Sequence, residues 1–244
     1  MAIIQTRGIV LKSFDYRETS RIATFFTSDQ GRVSGVLKGI RKDPRKFGSS
    51  LERFSVNDIV YYQYRNSDLH LISQCDMREF FLPVRQDLKR SLAASYMLEL
   101  VYLMTPSEMP NSKIYRLMED FLRSLEQTEE ITRLVHLFQI KALLYSGFQP
   151  HLDACVLCHK KVHNRAVFSH ADGGLICGHC GPGRGETHAI SPGTVATILH
   201  VERAGWQVCQ KLKLTRITRR ELKYILNNFL VFHLGRRIRS AKYV

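Results

Sequence analysis

The chain lacks the sequence patterns that mark several large protein classes. No apolar run approaches the roughly 18 residues that a membrane span requires, and the short apolar start is interrupted at Gln5, so a secretory signal is not expected. The G-x-x-x-x-G-K-[ST], G-x-G-x-x-G and G-x-S-x-G motifs are all missing. We therefore expect a cytoplasmic protein with no membrane partner, and a binding protein rather than an NTPase, a dinucleotide-dependent enzyme or a hydrolase.

Acidic residues are scarce relative to basic ones. The 244 residues include 36 Lys and Arg against 22 Asp and Glu, which gives a formal net charge of +14. The excess lies at the two ends, with +4 in residues 1–80 and +9 in residues 190–244, around a nearly neutral middle. This distribution predicts a polyanionic partner, and the alternative is a basic protein whose charge serves only solubility.

Cysteines are few, and four of the six form two C-x-x-C pairs. Eighteen residues separate the pair Cys155 and Cys158 from the pair Cys177 and Cys180, a spacing typical of a four-thiolate zinc site. Four thiolates leave no open coordination position, so the predicted zinc is structural. Gly178 and Gly181 are expected to permit the turn at the second pair. An iron site or a redox dithiol is the alternative, and nearby histidines could replace a cysteine that does not bind.

The first 80 residues are rich in short β-type segments. Five strands are predicted, at residues 4–11, 21–27, 32–38, 56–65 and 69–75, with a turn at 28–31 and a long link after the third strand. This order suits a small OB-type barrel, although an SH3-like barrel gives a similar pattern.

Helical periodicity begins near Pro83 and defines the rest of the predicted organisation. Caps are expected at Ser112 and Ser191, and the last helix is expected to open with a capping box from Thr218 to Glu221. The predicted fold class is α+β: an OB-fold domain at 1–80, a helical domain at 81–150, an inserted zinc-binding module at 151–189, and the basic C-terminal part of the helical domain at 190–244.

Two basic segments are candidate anion-binding sites. The link between the third and fourth strands carries five cations that could contact phosphates: Lys38, Arg41, Lys42, Arg45 and Lys46. The start of the last helix carries four more: Arg216, Arg219, Arg220 and Lys223. Cations in a first helical turn oppose the helix dipole, which hints at an external anionic partner. The alternative for both segments is a solvated charged surface.

The order of short motifs around the cysteine pairs resembles the RecO family of recombination mediators over essentially the whole chain. The motifs at the N-terminal end are Arg7-Gly8-Ile9-Val10-Leu11, Tyr16-Arg17-Glu18-Thr19-Ser20, Gly31-Arg32-Val33, Lys38-Gly39 and Leu51-Glu52-Arg53-Phe54. The C-terminal motif is His233-Leu234-Gly235-Arg236-Arg237-Ile238-Arg239-Ser240.

The resemblance implies an OB-fold domain, a helical domain and a four-cysteine zinc module. It also implies a protein of the cytoplasm, associated with the nucleoid, that binds single- and double-stranded DNA and anneals complementary strands without ATP. Its implied partners are RecR and the single-stranded-DNA-binding protein (SSB), whose acidic, apolar-ended C-terminal tail could contact Arg216 to Lys223. The alternative is an accessory protein of translation or transcription in which the barrel and a zinc ribbon bind structured RNA.

Overall fold

The computed structural model describes residues 2–43, 47–49, 51–162, 166–181 and 183–244. The chain divides into two compact units, of which the first comprises residues 1–129 and 242–244 and the second comprises residues 130–241. The first contains a β-barrel and three helices, and the second contains a small sheet and four helices among its described residues. The α+β class is confirmed, whereas the predicted domain limits stay predictions.

Five strands form the closed barrel of the first unit: β1 Ala2–Tyr16, β2 Ser20–Thr27, β3 Arg32–Leu37, β4 Val56–Gln63 and β5 Leu69–Glu79. Their order around the barrel is β1-β2-β3-β5-β4, and β1 closes it by pairing with β4. The β3–β5 pair is parallel and the other pairs are antiparallel. Five strands in this closed order confirm the OB-type barrel.

Alternating side chains of the strands fill the barrel. Fully buried core residues include Phe25 on β2, Ile59 and Tyr61 on β4, and Ile72 on β5. Gly35 on β3 lies so close to Ile72 that an added Cβ would be 2.5 Å from that side chain. A side chain larger than glycine would therefore push apart the one parallel strand pair of the barrel.

The turn between β2 and β3 was predicted at residues 28–31 and is confirmed. The amide of Thr27 donates to the carbonyl of Gly31 at 2.8 Å. Gly31 has a φ of +71°, and a Cβ there would be 2.4 Å from the carbonyl oxygen of Met109. Both the left-handed backbone and the close approach require glycine.

Three helices complete the first unit: α1 Leu82–Gln86, α2 Leu88–Met104 and α3 Ser112–Gln127. The Asp87 carboxylate caps α2 by accepting from the amide of Arg90. The cap of α3 is Asn111, whose side chain accepts from the amide of Ile114, so the prediction of Ser112 was one residue late. Asn and Ser are both good caps, and sequence alone does not order two adjacent candidates.

The second unit begins with α4 Ile131–Tyr145 and continues into the cysteine-containing segment. That segment holds three short strands, β6 Ala166–Ser169, β7 Gly174–Cys177 and β8 Thr187–Ile190, in the order β7-β6-β8. No strand was predicted there, because four-residue strands are too short to show an alternation.

Three further helices follow in this unit: α5 Pro192–Arg203, α6 Trp206–Cys209 and α7 Arg216–Leu234. A 3-10 helix at Arg239–Tyr243 comes after them at the boundary between the units. Ser191 caps α5, with Pro192 at the first helical position, as predicted. The predicted opening of the last helix was wrong. Its cap is Thr215, whose hydroxyl accepts from the amide of Thr218.

Glu221 does not take part in a capping box but joins α7 to the start of α5. Its carboxylate accepts from the amide and hydroxyl of Ser191 at 3.0 and 2.7 Å and from the Thr194 hydroxyl. The negative charge therefore lies at a helix N-terminus, where the helix dipole favours it.

Lys141 on α4 is a lysine inside the second unit. Its side chain is 3% exposed, and its Nζ donates to the carbonyls of Glu202 and Ala204 at 3.0 and 2.7 Å. These carbonyls lie at the end of α5, where the last turn of a helix lacks internal donors. Burial lowers the pKa of this amine.

Within the described residues, none of the helices is both long enough and apolar enough to cross a membrane.

Candidate metal centre and basic surfaces

The four cysteines predicted as ligands come together in one cluster. Their sulfur atoms all lie within 4.8 Å of one another, and no histidine of the described residues belongs to the cluster. Cys177 Sγ lies 3.7 Å from Cys158 Sγ and 3.6 Å from Cys180 Sγ. Tetrahedral thiolates about 2.3 Å from one ion are about 3.8 Å apart, whereas disulfide sulfurs are about 2.05 Å apart. The spacing fits one four-coordinate metal ion.

Two tight turns hold the cysteine pairs in place. After the first pair, the amide of His159 donates to the Cys155 carbonyl at 2.9 Å. The second pair begins where β7 ends, and the amide of Cys180 donates to the Cys177 carbonyl at 3.2 Å. Gly181 has a φ of +80°, as its predicted role at this turn requires, whereas Gly178 does not have a positive φ. The glycine requirement therefore falls on Gly181.

Backbone amides point at the sulfur atoms and favour the thiolate form. Burial raises the pKa of Cys155, but hydrogen bonds from the amides of Cys177, Cys158 and Leu157 outweigh it and lower the pKa to about 6. The amide of His179 lowers the pKa of Cys177. Cys180 has its pKa raised to about 12 by hydrogen bonds with the neighbouring Cys158 and Cys177 sulfurs. Metal binding requires the thiolate forms, so a cation bound by these cysteines would release the protons that their sulfurs carry.

Two of the nearby histidines that were considered as substitute ligands pack against an aromatic ring instead. His170 and His188 pack against the ring of Tyr224, with centroid distances of 6.1 and 4.1 Å. His163 lies outside the described residues.

The basic link between β3 and β4 is attached to the barrel more firmly than its composition suggests. Ile40, Phe47 and Leu51 are at most 5% exposed and belong to the barrel core. Lys38, Arg41 and Lys42 are exposed, and Arg45 and Lys46 lie outside the described residues. The exposed cations are therefore held at the barrel wall by the apolar residues between them.

Arg41 of this link is bonded to the barrel. It donates to the carbonyls of Arg17 and Glu18 at 3.2 and 3.1 Å and lies 3.3 Å from the Asp15 carboxylate. Asp15 has a lowered pKa because it accepts from Arg21 and lies near Arg41. Part of the charge of Arg41 is thus balanced within the protein.

The four cations predicted at the start of the last helix line one cavity of about 470 Å³. Its lining residues are Thr132, His136, Arg216, Ile217, Arg219, Arg220 and Lys223. Arg219 pairs with Glu130 at 2.6 Å, whereas no ion pair among the described residues involves Arg216 or Arg220. Ile217 is 57% exposed and contributes an apolar surface to the site. This α7 cavity combines a mostly apolar lining with four cationic side chains.

The sequence did not point to His136, which comes from α4 about 80 positions before the cations. It is 4% exposed, and its Nε2 has no hydrogen-bond partner among the described residues. A signal was available, because His136, Gln139 and Lys141 interrupt the otherwise apolar stretch of α4, and buried polar residues need a reason.

Two family models together match almost the whole chain. The model for the N terminal part of recombination protein O matches residues 1–81, and the model for its C terminal part matches residues 85–242.

Curated relatives match over the same length. The DNA repair protein RecO of Moorella thermoacetica is 30% identical over 244 residues, covering 99% of this chain and 90% of the relative. The DNA repair protein RecO of Syntrophus aciditrophicus is 30% identical over 242 residues, covering 98% and 93%. That of Alkaliphilus metalliredigens is 30% identical over 235 residues, covering 96% and 95%.

Proposed function

The chain belongs to the recombination protein O (RecO) family of DNA repair proteins, and from this premise we propose that it is a non-enzymatic recombination mediator. It binds single- and double-stranded DNA, anneals complementary strands without ATP, and helps to load the recombinase on SSB-coated DNA together with RecR. Its place of action is the cytoplasm, on the nucleoid. The observation that carries the proposal is the pairing of two separate basic surfaces with an OB-type barrel.

Annealing brings two polyanions together, and cations on the protein must offset their repulsion. The link of the barrel presents Lys38, Arg41 and Lys42, followed in sequence by Arg45 and Lys46, and the second unit presents the arginines after α7, which are Arg236, Arg237 and Arg239. Each surface can neutralise phosphates and release counterions. We assign one strand to each surface.

The link is tested by the salt dependence of binding to single-stranded DNA. Lys42→Ala removes an exposed cation, so the slope of log affinity against log salt should become shallower by about 0.7. Arg41→Ala is the matched variant, and its effect should be smaller because Asp15 already balances part of its charge. Unchanged slopes in both variants and in a Lys38, Lys42, Arg45 and Lys46 quadruple alanine variant would mean that the link is only solvated.

The α7 cavity is the proposed docking site of the SSB tail. An acidic tail with an apolar end matches a cavity that has apolar walls and the cations Arg216, Arg219, Arg220 and Lys223 at its rim. The test is annealing of SSB-coated complementary oligonucleotides, with and without ATP, using intact SSB and SSB without its tail. Annealing that requires ATP contradicts the mediator proposal, and equal annealing on tail-less SSB contradicts the docking site.

The metal of the second unit is proposed to be zinc. Soft thiolates in a tetrahedral set select zinc, and Cys155, Cys158, Cys177 and Cys180 have the donor chemistry and the spacing for it. The ion would join the two turns and the end of β7 into one folded segment, without a catalytic role. Less than about half an equivalent of zinc in protein purified without chelators would contradict this assignment.

Competition between single-stranded DNA, duplex DNA and structured RNA at one stated salt concentration separates DNA repair from RNA binding. Preference for structured RNA would favour an accessory role in translation or transcription. The absence of salt-dependent binding to any of the three would leave an interaction scaffold.

A further inference from the structure

His136 lies in the wall of the α7 cavity with one ring nitrogen satisfied and the other unpaired. Its Nδ1 lies 3.1 Å from Gln139 Oε1, and its Nε2 is buried without a partner among the described residues. A buried polar atom without a hydrogen-bond partner costs free energy, because it has lost its bonds to water. A side chain kept in such a state inside a cavity is a candidate for ligand recognition.

A chain of hydrogen bonds sets the protonation of this ring. Gln139 Nε2 donates to Asn227 Oδ1 on α7 at 3.0 Å, so Gln139 presents its Oε1 to the ring. The His136 Nδ1 therefore carries the hydrogen and donates it. In the neutral ring Nε2 is then an acceptor without a donor, and only protonation turns it into a donor.

The surroundings of the cavity lower the pKa of the His136 ring. Burial lowers the pKa of His136 most, Gln139 opposes this, and the positive charges of Lys223 and Arg219 lower the pKa further. Arg216 and Arg220 complete the set on α7, and α5, which also packs on α4, contributes no residue to the cavity. The carboxylate nearest this set is Glu130, which pairs with Arg219.

We propose that binding of a carboxylate ligand in the α7 cavity is coupled to the uptake of one proton by His136. The proposal rests on the docking site proposed above and adds its regulation. A carboxylate bound among the cations of the cavity offsets the repulsion that Lys223 and Arg219 exert on a protonated ring, and it adds an attraction. The protonated Nε2 is a hydrogen-bond donor, and the bound carboxylate supplies the acceptor that this nitrogen lacks in the free protein.

The coupling makes the affinity for the carboxylate ligand depend on pH. The pKa of His136 is low in the free protein and rises when the carboxylate is bound, so the ligand binds more tightly as the pH falls between those two values. Linkage limits the effect to about tenfold in affinity per pH unit for one proton. Above the higher of the two values the affinity no longer depends on this group.

Calorimetry of the intact protein tests the coupling without any substitution. The probe is a short synthetic peptide with several aspartates and an apolar last residue, titrated at one pH in two buffers with different ionisation enthalpies. Proton uptake makes the observed heats differ by the number of protons times the difference of the two enthalpies. We expect close to one proton per peptide at the pH of maximum coupling, and a much smaller value for a peptide with an amidated C-terminus.

Substitution identifies the group that takes up the proton. His136→Gln removes the titration but retains a polar side chain, so the heats should become equal in the two buffers while the peptide still binds. His200→Gln changes an exposed histidine on α5 and should keep the wild-type difference. Equal heats in the wild type, or an unchanged difference in His136→Gln, overturn the coupling but leave the docking site. The absence of any binding to the wild type overturns both.

Discussion

The two compact units carry their charge in different ways. The first holds 20 Lys and Arg against 16 Asp and Glu, and the second holds 16 against 6. In the first unit, carboxylates balance many of the arginines in ion pairs of 2.6 to 3.3 Å: Asp58 with Arg7 and Arg78, Asp15 with Arg21 and Arg41, Glu79 with Arg123. In the second unit, α7 carries more cations than the ion pairs of the described residues balance: Arg219 pairs with Glu130, whereas Arg216 and Arg220 have no ion pair there. The number of basic residues is thus a weaker guide to a binding surface than the number left unbalanced.

The units also differ in what holds them together. The barrel closes on itself through backbone hydrogen bonds and surrounds an apolar core. The small sheet of the second unit has three strands of four residues, and β7 ends at Cys177 of the cysteine cluster. Such short strands do not form a stable sheet alone. The first unit should therefore be insensitive to metal, and the second should need it.

Replacing one of the four clustered cysteines should give the largest change in stability, and this change should be confined to the second unit. Cys177→Ser takes one of the four thiolates away, and structural zinc contributes about 10–16 kcal/mol to folding in zinc-finger peptides at neutral pH. We expect loss of metal and protease cleavage within residues 151–190, while the barrel stays folded. Metal content and limited proteolysis measure this. Cys209→Ser, a buried cysteine of the same unit outside the cluster, should keep the metal. Full metal content in Cys177→Ser would contradict the assignment.

A cavity made in the barrel core should have the opposite pattern: the first unit should lose stability while the second keeps its metal. Phe25→Ala removes a fully buried ring from the core of the first unit, at a cost of about 3–5 kcal/mol in the free energy of unfolding. Denaturant unfolding should show the loss, with the metal content unchanged. Phe14→Ala is the control, because that ring on β1 is 48% exposed. Loss of metal in Phe25→Ala would mean that the two units do not fold separately.

The Glu221 carboxylate should matter less, and its contribution should depend on pH. Burial raises its pKa, but hydrogen bonds from Thr194 and Ser191 outweigh this and hold the pKa below the ordinary value of 4.5. A carboxylate with a lowered pKa stabilises the folded state above pH 4.5, and that stability is lost as the pH falls through the folded-state value. Glu221→Gln should cost about 2 kcal/mol near neutral pH.

Urea unfolding of wild type and Glu221→Gln over a pH series measures this contribution. The difference between them should shrink below pH 4.5. A difference that stays constant down to strongly acidic pH would mean that Glu221 acts through packing and not through its charge.

The smallest changes should come from substitutions of surface arginines. They test whether arginines without an ion pair contribute more to DNA binding than paired ones. Arg123→Ala in the first unit breaks an ion pair with Glu79, worth less than about 1 kcal/mol, and should not change the salt dependence of DNA binding. Arg237→Ala, an exposed residue after α7, should leave stability unchanged and make the salt slope on single strands shallower by about 0.7. Equal slopes for the two variants would remove the distinction between balanced and unbalanced charge.

Local patterns in the sequence predicted the barrel and the four cysteines that the structure brings together. Strand alternation, the turn at Gly31 and the spacing of Cys155 to Cys180 all act within short stretches of chain, where the sequence and the structure are directly linked. The strand ends were less accurate, since β1 runs from Ala2 to Tyr16.

Contacts between distant segments were not predictable in the same way. Thr215 and Thr218 are both suitable caps for α7, and Glu221 suits a capping box with Thr218. The chain uses Thr215 because Glu221 bonds to Ser191 and Thr194, which are 30 and 27 positions away. Likewise, nothing local places His136 beside the cations of α7. Such pairings depend on how helices pack, which a periodic pattern does not contain.

The reactivity of the buried Lys141 amine can be used to measure local opening of the second unit. An amine-reactive reagent modifies exposed lysines within its first minutes, but this side chain is 3% exposed and both hydrogen bonds hold it against the end of α5. Acylation would require α4 and α5 to separate first, so its rate follows the population of locally opened molecules. Mass spectrometry of the peptide that contains Lys141 would then record how DNA, metal or a partner changes the population of opened molecules, without any substitution in the protein.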